Sequence, residues 1–350
     1  MNSMKKAPTI KDVARLSQVS LATVSRVING VQGVSSELSE RVQQAVKELG
    51  YYPNEAARSL VSKETKNIGV VVNNLHDPFF YDLLRGFEQG SYETDYNVVF
   101  CSVPSGASSK KTKYVQYLTN GVVDGLVLYG SYLSDKPLVH YLQFETTCDY
   151  IIIENNIPEV ECNELTVDNA KGVQQAITYL SELGHKKIAH ICGDLNKMVS
   201  TERLNGYTHT MQSLGLEIAS SYIQNTTADY RGGYDCMQAL LKLKDRPTAV
   251  FCYDDAIASY AICAALDAGL SIPDDISVIG FDNQRFLPDW YKGPAITSVE
   301  QPLFDIGRDS ILFLTSRLQS GEQAIPLRKV YPTKLIIKES TGRAPSCKEA

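Results

Sequence analysis

From Asn67 onward the chain alternates short apolar runs with amphipathic stretches, and this alternation restricts the fold more than any other feature. Runs at residues 68–72, 98–101, 125–128, 150–153, 187–191, 249–252, 277–281 and 297–300 have the length of strands. Helical patterns at 79–93, 170–183, 203–214, 257–268 and 302–318 fall between several of them. Strands that alternate with helices imply parallel sheets covered on both faces. Residues 67–350 exceed what one such layer set needs, so two α/β lobes are expected.

Open parallel sheets hold ligands outside the carboxyl ends of their strands. Several strand ends here run into polar and aromatic loops. Asn73-Asn-Leu-His-Asp-Pro-Phe-Phe80 follows the first strand, and a polar loop leading to Ser200-Thr-Glu-Arg203 follows the strand that ends near Ile191. Tyr253-Asp-Asp255 follows Cys252, and Asp282-Asn-Gln284 follows Phe281. Carboxylates and amides bind paired hydroxyls, while aromatic rings cover an apolar sugar face, so the set suits a polyhydroxylated ligand. Each residue also has a plain structural role. Asp77 and Ser200 can cap helices, Arg203 can pair with a carboxylate between domains, and Asp282 can end its strand in an Asx turn.

Composition narrows the classes. With 43% hydrophobic and 21% charged residues among 350, the chain can bury a sizeable core. No apolar run approaches the roughly 18 residues that span a bilayer. Lys5 and Lys6 are not followed by an apolar segment or a cleavage site, so no secretion signal is read. The eight cysteines form no C-x-x-C pair, which fits reduced thiols in a cytoplasmic protein. The five histidines are dispersed, and no phosphate-binding, dinucleotide, nucleophile-elbow or zinc-protease motif occurs. No catalytic residue, metal or cofactor is therefore assigned. Charge is uneven. Residues 1–62 carry eight Lys/Arg against five Asp/Glu, and the remainder twenty-six against thirty-five. A basic head on an acidic body is the asymmetry of a protein that meets phosphate at one end.

The head reads as three helices. Thr9-Ile-Lys-Asp12 has capping-box spacing and starts a helix at Ile10. Ser17-Gln-Val-Ser20 makes a turn, Ser20 caps a second helix, and Asn29-Gly30 ends it. A third helix, capped by Ser35 or Ser36, places Leu38, Val42, Ala45, Val46 and Leu49 on one face and closes at Gly50. Two short helices with a tight turn backed by a third form a helix-turn-helix, a shape also used by purely structural caps. The second helix offers Ser20, Thr23, Ser25 and Arg26, side chains suited to phosphates and base edges. Leu21 and Ala22 can touch thymine methyls but make no bidentate base contact.

The residues from Thr9-Ile-Lys-Asp-Val-Ala through Thr23-Val-Ser-Arg-Val-Ile-Asn-Gly30 resemble the DNA-binding signature of the lactose/galactose-repressor (LacI–GalR) family. The match continues through Val34-Ser, Arg41-Val and Leu49-Gly-Tyr-Tyr-Pro-Asn-Glu-Ala-Ala-Arg-Ser-Leu60. Leu183-Gly-His-Lys-Lys-Ile, Arg203-Leu-Asn-Gly-Tyr207 and Ser277-Val-Ile-Gly-Phe-Asp282 resemble landmarks of its effector domain. The resemblance implies an α plus α/β architecture: a helix-turn-helix head at 1–52, a hinge helix and linker at 53–66, and a two-lobed core like periplasmic sugar-binding proteins at 67–350. It implies DNA contacts from Thr9, Asn29 and Asn54 as well as the second helix. In the hinge, Leu60 is the expected minor-groove wedge, and Ala57 is the small residue that lets paired hinge helices approach.

The same resemblance marks Arg203 and Asp282 as effector contacts first, then Phe79, Asp255 and Gln301, with Asp77 on the same loop. Trp290 either stacks on a sugar ring or packs at the lobe junction. The expected function is a repressor of carbohydrate-utilisation genes. It binds a palindromic double-stranded operator as a homodimer, under control of a sugar or sugar-derived effector, with no membrane partner. A carbohydrate-acting enzyme or a sugar receptor with a fused DNA-binding head is the alternative.

Overall fold

The computed structural model describes residues 8–30, 33–52, 64–104, 107–130, 132–154, 161–226, 231–320 and 327–345. The chain divides into two compact units, Met1–Thr65 and Lys66–Ala350.

In the first unit, α1 (Ile10–Ser17), α2 (Leu21–Ile28) and α3 (Ser36–Leu49) pack around Val13, Val24, Val42 and Ala45. The local chemistry explains each boundary. The Asp12 carboxylate accepts from Thr9 N at 3.0 Å and from Thr9 Oγ1 at 2.7 Å, holding the start of α1. Gln18 ends α1 in the left-handed region, at φ 53°. Ser20 Oγ accepts from Thr23 N at 3.1 Å and Ser35 Oγ from Leu38 N at 3.4 Å, so Ser35 rather than Ser36 is the cap of α3. Arg41 Nη2 donates to Ser17 O at 2.7 Å, tying α3 to the last turn of α1.

The second unit holds two six-stranded sheets. The first, in order, is β11 (Arg328–Tyr331), β5 (Glu164–Val167), β4 (Asp149–Ile153), β3 (Gly125–Tyr129), β1 (Asn67–Asn73) and β2 (Asn97–Val103). All of its neighbours pair in parallel. The second is β12 (Lys334–Ile336), β10 (Thr297–Glu300), β9 (Ser277–Asp282), β8 (Ala249–Cys252), β6 (Ile188–Cys192) and β7 (Ile223–Asn225), parallel except at the β10–β12 edge. Every residue of β6, β8 and β9 is buried, as continuous apolar strands sandwiched between helices must be.

Helices cover both faces of each sheet. On the first sheet, α4 (Phe80–Tyr92) and α11 (Leu303–Ser320) bury Leu83, Phe87, Ile306 and Leu314 on one face. On the other, α5 (Ser108–Thr119) and α6 (Lys136–Phe144) bury Val115, Leu118, Leu138 and Leu142. On the second sheet, α7 (Asn169–Glu182) and α8 (Met198–Ser213) cover one face. The other belongs to α9 (Gly232–Leu241) and α10 (Asp255–Asp267). Among the described residues the chain passes between lobes three times, after β5, after β10 and after β11. No described helix is long and apolar enough to cross a membrane.

The polar stretch before Arg203 differs from the sequence reading. It is helical from Met198, so Ser200 is a fully buried residue of α8 rather than its cap, and Arg203 lies inside the helix. The flanking pattern concealed this, because α8 buries polar residues (Ser200, Arg203 and Thr210) on the face that an apolar stripe would mark.

Candidate functional site

In the first unit, α2 presents its N-terminal turn to solvent. Ser20, Leu21, Ala22, Arg26 and Asn29 are exposed, and Leu21 keeps 45% of its surface. Thr23 and Ser25 are half-buried and locally engaged. Thr23 Oγ1 lies 2.9 Å from Ser20 Oγ, and Asn29 Nδ2 donates to Ser25 Oγ at 3.3 Å. Thr9 is exposed at the N-cap of α1. An exposed helix end with hydroxyls beside an apolar residue fits the chemistry of a major groove, where base-edge acceptors and amino donors alternate with thymine methyls. Asn54, Ala57 and Leu60 lie outside the described residues.

In the second unit, the carboxyl ends of strands from both sheets face one cleft of about 150 Å³. The first lobe contributes Asn73, Asn74, Asp77, Phe79 and Phe80 after β1, Tyr129 and Gly130 at the end of β3, Tyr132, and Glu154 after β4. The second contributes Lys197 and Val199 after β6, Arg203 from α8, Tyr253 and Asp254 after β8, Asp282 and Gln284 at β9, and Gln301 after β10.

Arg203 organises the second lobe's wall. Its Nε donates to Asn169 Oδ1 at 3.0 Å, Nη1 to Tyr253 O at 2.6 Å and Nη2 to Asp282 Oδ1 at 3.3 Å. The guanidinium lies 3.7 Å from the Phe281 ring centroid and 4.7 Å from that of Tyr253. Asp282 Oδ1 also accepts from Gln301 Nε2, and Asp282 itself sits at φ 94°. Burial pushes the Asp282 carboxyl above its ordinary value, against the pull of Arg203 and Gln301. The Arg203–Asp282 contact therefore lies within the wall, with both groups buried.

On the first lobe Phe79, Phe80 and Tyr129 form an aromatic cluster, with centroids 5.0 to 5.8 Å apart. Asp77 Oδ1 accepts from Phe79 N at 3.0 Å, which fixes the turn into α4. Glu154 stands at φ 57° and accepts from Val167 N at 2.8 Å and Asn169 Nδ2 at 3.3 Å. Burial raises its carboxyl to about 7, with Arg203 opposing the shift. Behind this wall, Lys111 Nζ donates to Gly130 O and to Asp135 Oδ2, each at 2.8 Å, and Asp135 Oδ2 also accepts from Tyr132 N at 3.1 Å. The fully buried ion pair thus braces two residues of the cleft's edge.

The sequence-chosen residues Asp77, Phe79, Arg203, Asp282 and Gln301 come together at this cleft. Two others do not line it. Asp255 is buried behind the wall, where its Oδ2 accepts from Gln284 N at 2.7 Å, and Gly280 is kept side-chain-free by its carboxylate. Its place is that of a brace for the turn after β9. Trp290 packs on Tyr260 of α10, with centroids 4.5 Å apart, and keeps 44% of its surface exposed. It neither reaches a ring in the cleft nor joins the lobes. Tyr129, Tyr132, Glu154 and Asp254 were not chosen from sequence. The strand-end rule that selected Asp282 applies equally to Tyr129 and Glu154, whose strands were recognised, so the signal was present.

Family models match at both ends of the chain: "Bacterial regulatory proteins, lacI family" at residues 9–54 and "Periplasmic binding protein-like domain" at 177–341. The HTH-type transcriptional repressor CytR of Escherichia coli is 33% identical over 97% of this chain and 98% of its own length. The ribose operon repressor of Haemophilus influenzae is 33% identical over 95% and 98%. A solved complex of the transcriptional regulator CelR with cellobiose is 31% identical, with a TM-score of 0.71 over 95% of this chain and 99% of that one. With full-length identity above 30% to named repressors and the helix-turn-helix and two-lobed units both in place, the chain belongs to the LacI family of bacterial transcriptional regulators.

Proposed function

We propose that the chain represses carbohydrate-utilisation genes in the cytoplasm by binding a palindromic operator as a homodimer, with DNA affinity set by a sugar or sugar derivative in the interlobe cleft. The observation that carries this reading is the pairing, in one chain, of an exposed hydroxyl-rich α2 terminus with a cleft built from aromatic faces and carboxylate and amide acceptors. One head reads one half-site, so two-fold symmetry follows. Residues 53–66 act as the hinge between the head at 1–52 and the core at 67–350. Ligand binding changes the lobe angle, and the hinge helices move together or apart, so that the Leu60 wedge forms or is lost. The named relatives are repressors, which supports a regulator over an enzyme with a fused head.

The test is fluorescence anisotropy on a palindromic duplex selected from a random pool, across salt and a panel of sugars. The expected result is a steep loss of affinity with salt, as counterion release requires, and a shift of about 5- to 150-fold with one sugar. Leu60→Ala is expected to remove specific DNA binding while leaving sugar affinity unchanged. Sugar turnover without DNA binding would overturn the proposal.

A further inference from the structure

Two cations and four carboxyls face the cleft, and their partners decide what charge a ligand meets there. Arg203 is 3% exposed, spends three N–H groups on Asn169, Tyr253 and Asp282, and has aromatic rings over its faces. It is part of the wall, with its charge already matched. Lys197 lies 5.9 Å from the Tyr253 ring centroid and has Asp254 and Asp194 as acidic neighbours. Asp77 accepts from Phe79 N, just before α4, and Asp254 accepts from Ile257 N in the first turn of α10. The Asp254 carboxylate therefore occupies a helix end that would otherwise attract an anion. Burial raises the Glu154 and Asp254 carboxyls to about 7. Arg203 is held against Asp282, Lys197 faces Asp254 and Asp194, and the four carboxyls outnumber the two cations, so the lining carries no cluster of positive charge. The N-termini of α4 and of α8, the latter beside Lys197, have no side-chain cap and are the competing features for an anion among the described lining elements.

We propose that the ligand is a neutral sugar, an uncharged ring with adjacent hydroxyls, and that the cleft excludes its phosphorylated counterpart. The inference rests on the carbohydrate-effector reading above and narrows it. Hydroxyls find acceptors on Asp282, Glu154 and Gln301, and a ring face finds Phe79 and Tyr129. A phosphate dianion brought into this enclosure meets four carboxyls and, beyond the Arg203–Asp282 pair, only Lys197 among the described lining cations, so its desolvation is poorly repaid.

The test uses the purified full chain and isothermal titration at about pH 7.5. The probes are matched sets: D-ribose with D-ribose 5-phosphate, D-glucose with its 6-phosphate and with D-glucosamine, and cellobiose with its 6-phosphate. One neutral member is expected to bind, and its phosphorylated partner to bind about a hundredfold more weakly. A phosphorylated sugar or an aminosugar that binds more tightly than its neutral partner overturns the charge inference and leaves the carbohydrate reading standing. A panel in which no member binds overturns the carbohydrate reading and this inference with it. Phe79→Ala locates the event: it is expected to weaken the neutral sugar about tenfold or more, in a chain that still unfolds cooperatively. Full affinity in that variant overturns the assignment to this cleft.

Discussion

At the residue scale, Arg203 shows why a charge can be buried at a binding site without being available to the ligand. Its planar fork meets an amide oxygen, a backbone carbonyl and a carboxylate in three directions while its faces stack on Phe281 and Tyr253. A lysine keeps the charge but has one nitrogen and no stacking plane. Arg203→Lys is therefore expected to cost about 1–3 kcal/mol of stability, read as a lower urea midpoint, and to weaken ligand binding through the displaced Asp282. Glu154 makes a pH prediction. Its folded carboxyl is raised to about 7 from an ordinary 4.5, so between those values the folded state holds a proton that the unfolded chain has released. Its contribution is present below the lower value and lost as pH rises through the upper one. The neutral Glu154→Gln variant is expected to flatten the fall in urea midpoint between pH 5 and 8. Asp254, also raised to about 7, leaves part of the slope in place. A slope unchanged by the substitution would assign the titration elsewhere.

At the element scale, the crossing of α4 and α11 holds the helix that returns the chain to the first lobe. Gly86 and Gly307 meet there. A Cβ on Gly307 would stand 2.3 Å from Leu83 O, and one on Gly86 would stand 2.2 Å from Phe304 O. Gly307→Ala must push the helices apart and is expected to destabilise the core unit by about 1–3 kcal/mol, measured by chemical unfolding. This crossing also shows where the sequence was readable. The long strands and α4, α7, α10 and α11 were visible because each buries a continuous run or a regular stripe. β11 and β12 were not, since Arg328, Lys329 and Lys334 are exposed at sheet edges, and such strands carry charge in place of an apolar pattern. The start of α8 was hidden for a related reason. Its first turns bury Ser200 and the cleft residue Arg203 in place of an apolar stripe, so the rule that finds helices by that stripe failed there. Trp290 is a different case: sugar stacking and packing at the lobe junction were both open, and it does neither, because nothing in sequence fixes which side of a loop a ring packs on.

At the scale of the whole molecule, two of the contacts that join the lobes beside the cleft lie on its exposed rim. Arg285 Nε donates to Asp82 Oδ2 at 2.7 Å, and the Phe286 ring meets Tyr81 edge-on at 5.1 Å. Asp82 and Tyr81 belong to α4, while Arg285 and Phe286 follow the cleft residue Gln284. Arg285 is more than half exposed, so its ion pair is screened and weak. A weak latch suits a switch, because a ligand shifts a two-state balance only by its differential affinity. If the latch favours the lobe arrangement that also holds ligand, removing it lowers the fraction competent to bind. The double variant Arg285→Ala/Phe286→Ala is then expected to weaken sugar binding about three- to tenfold. Linkage fixes the sign of a second effect. The sugar-free variant should shift its operator affinity in the direction opposite to the shift that sugar produces in the unmodified protein, since one change disfavours the arrangement the other favours. Both quantities come from one anisotropy titration series. A shift in the same direction as the sugar's would mean that these contacts oppose the ligand-bound arrangement, and an unchanged operator affinity would separate the latch from the DNA switch.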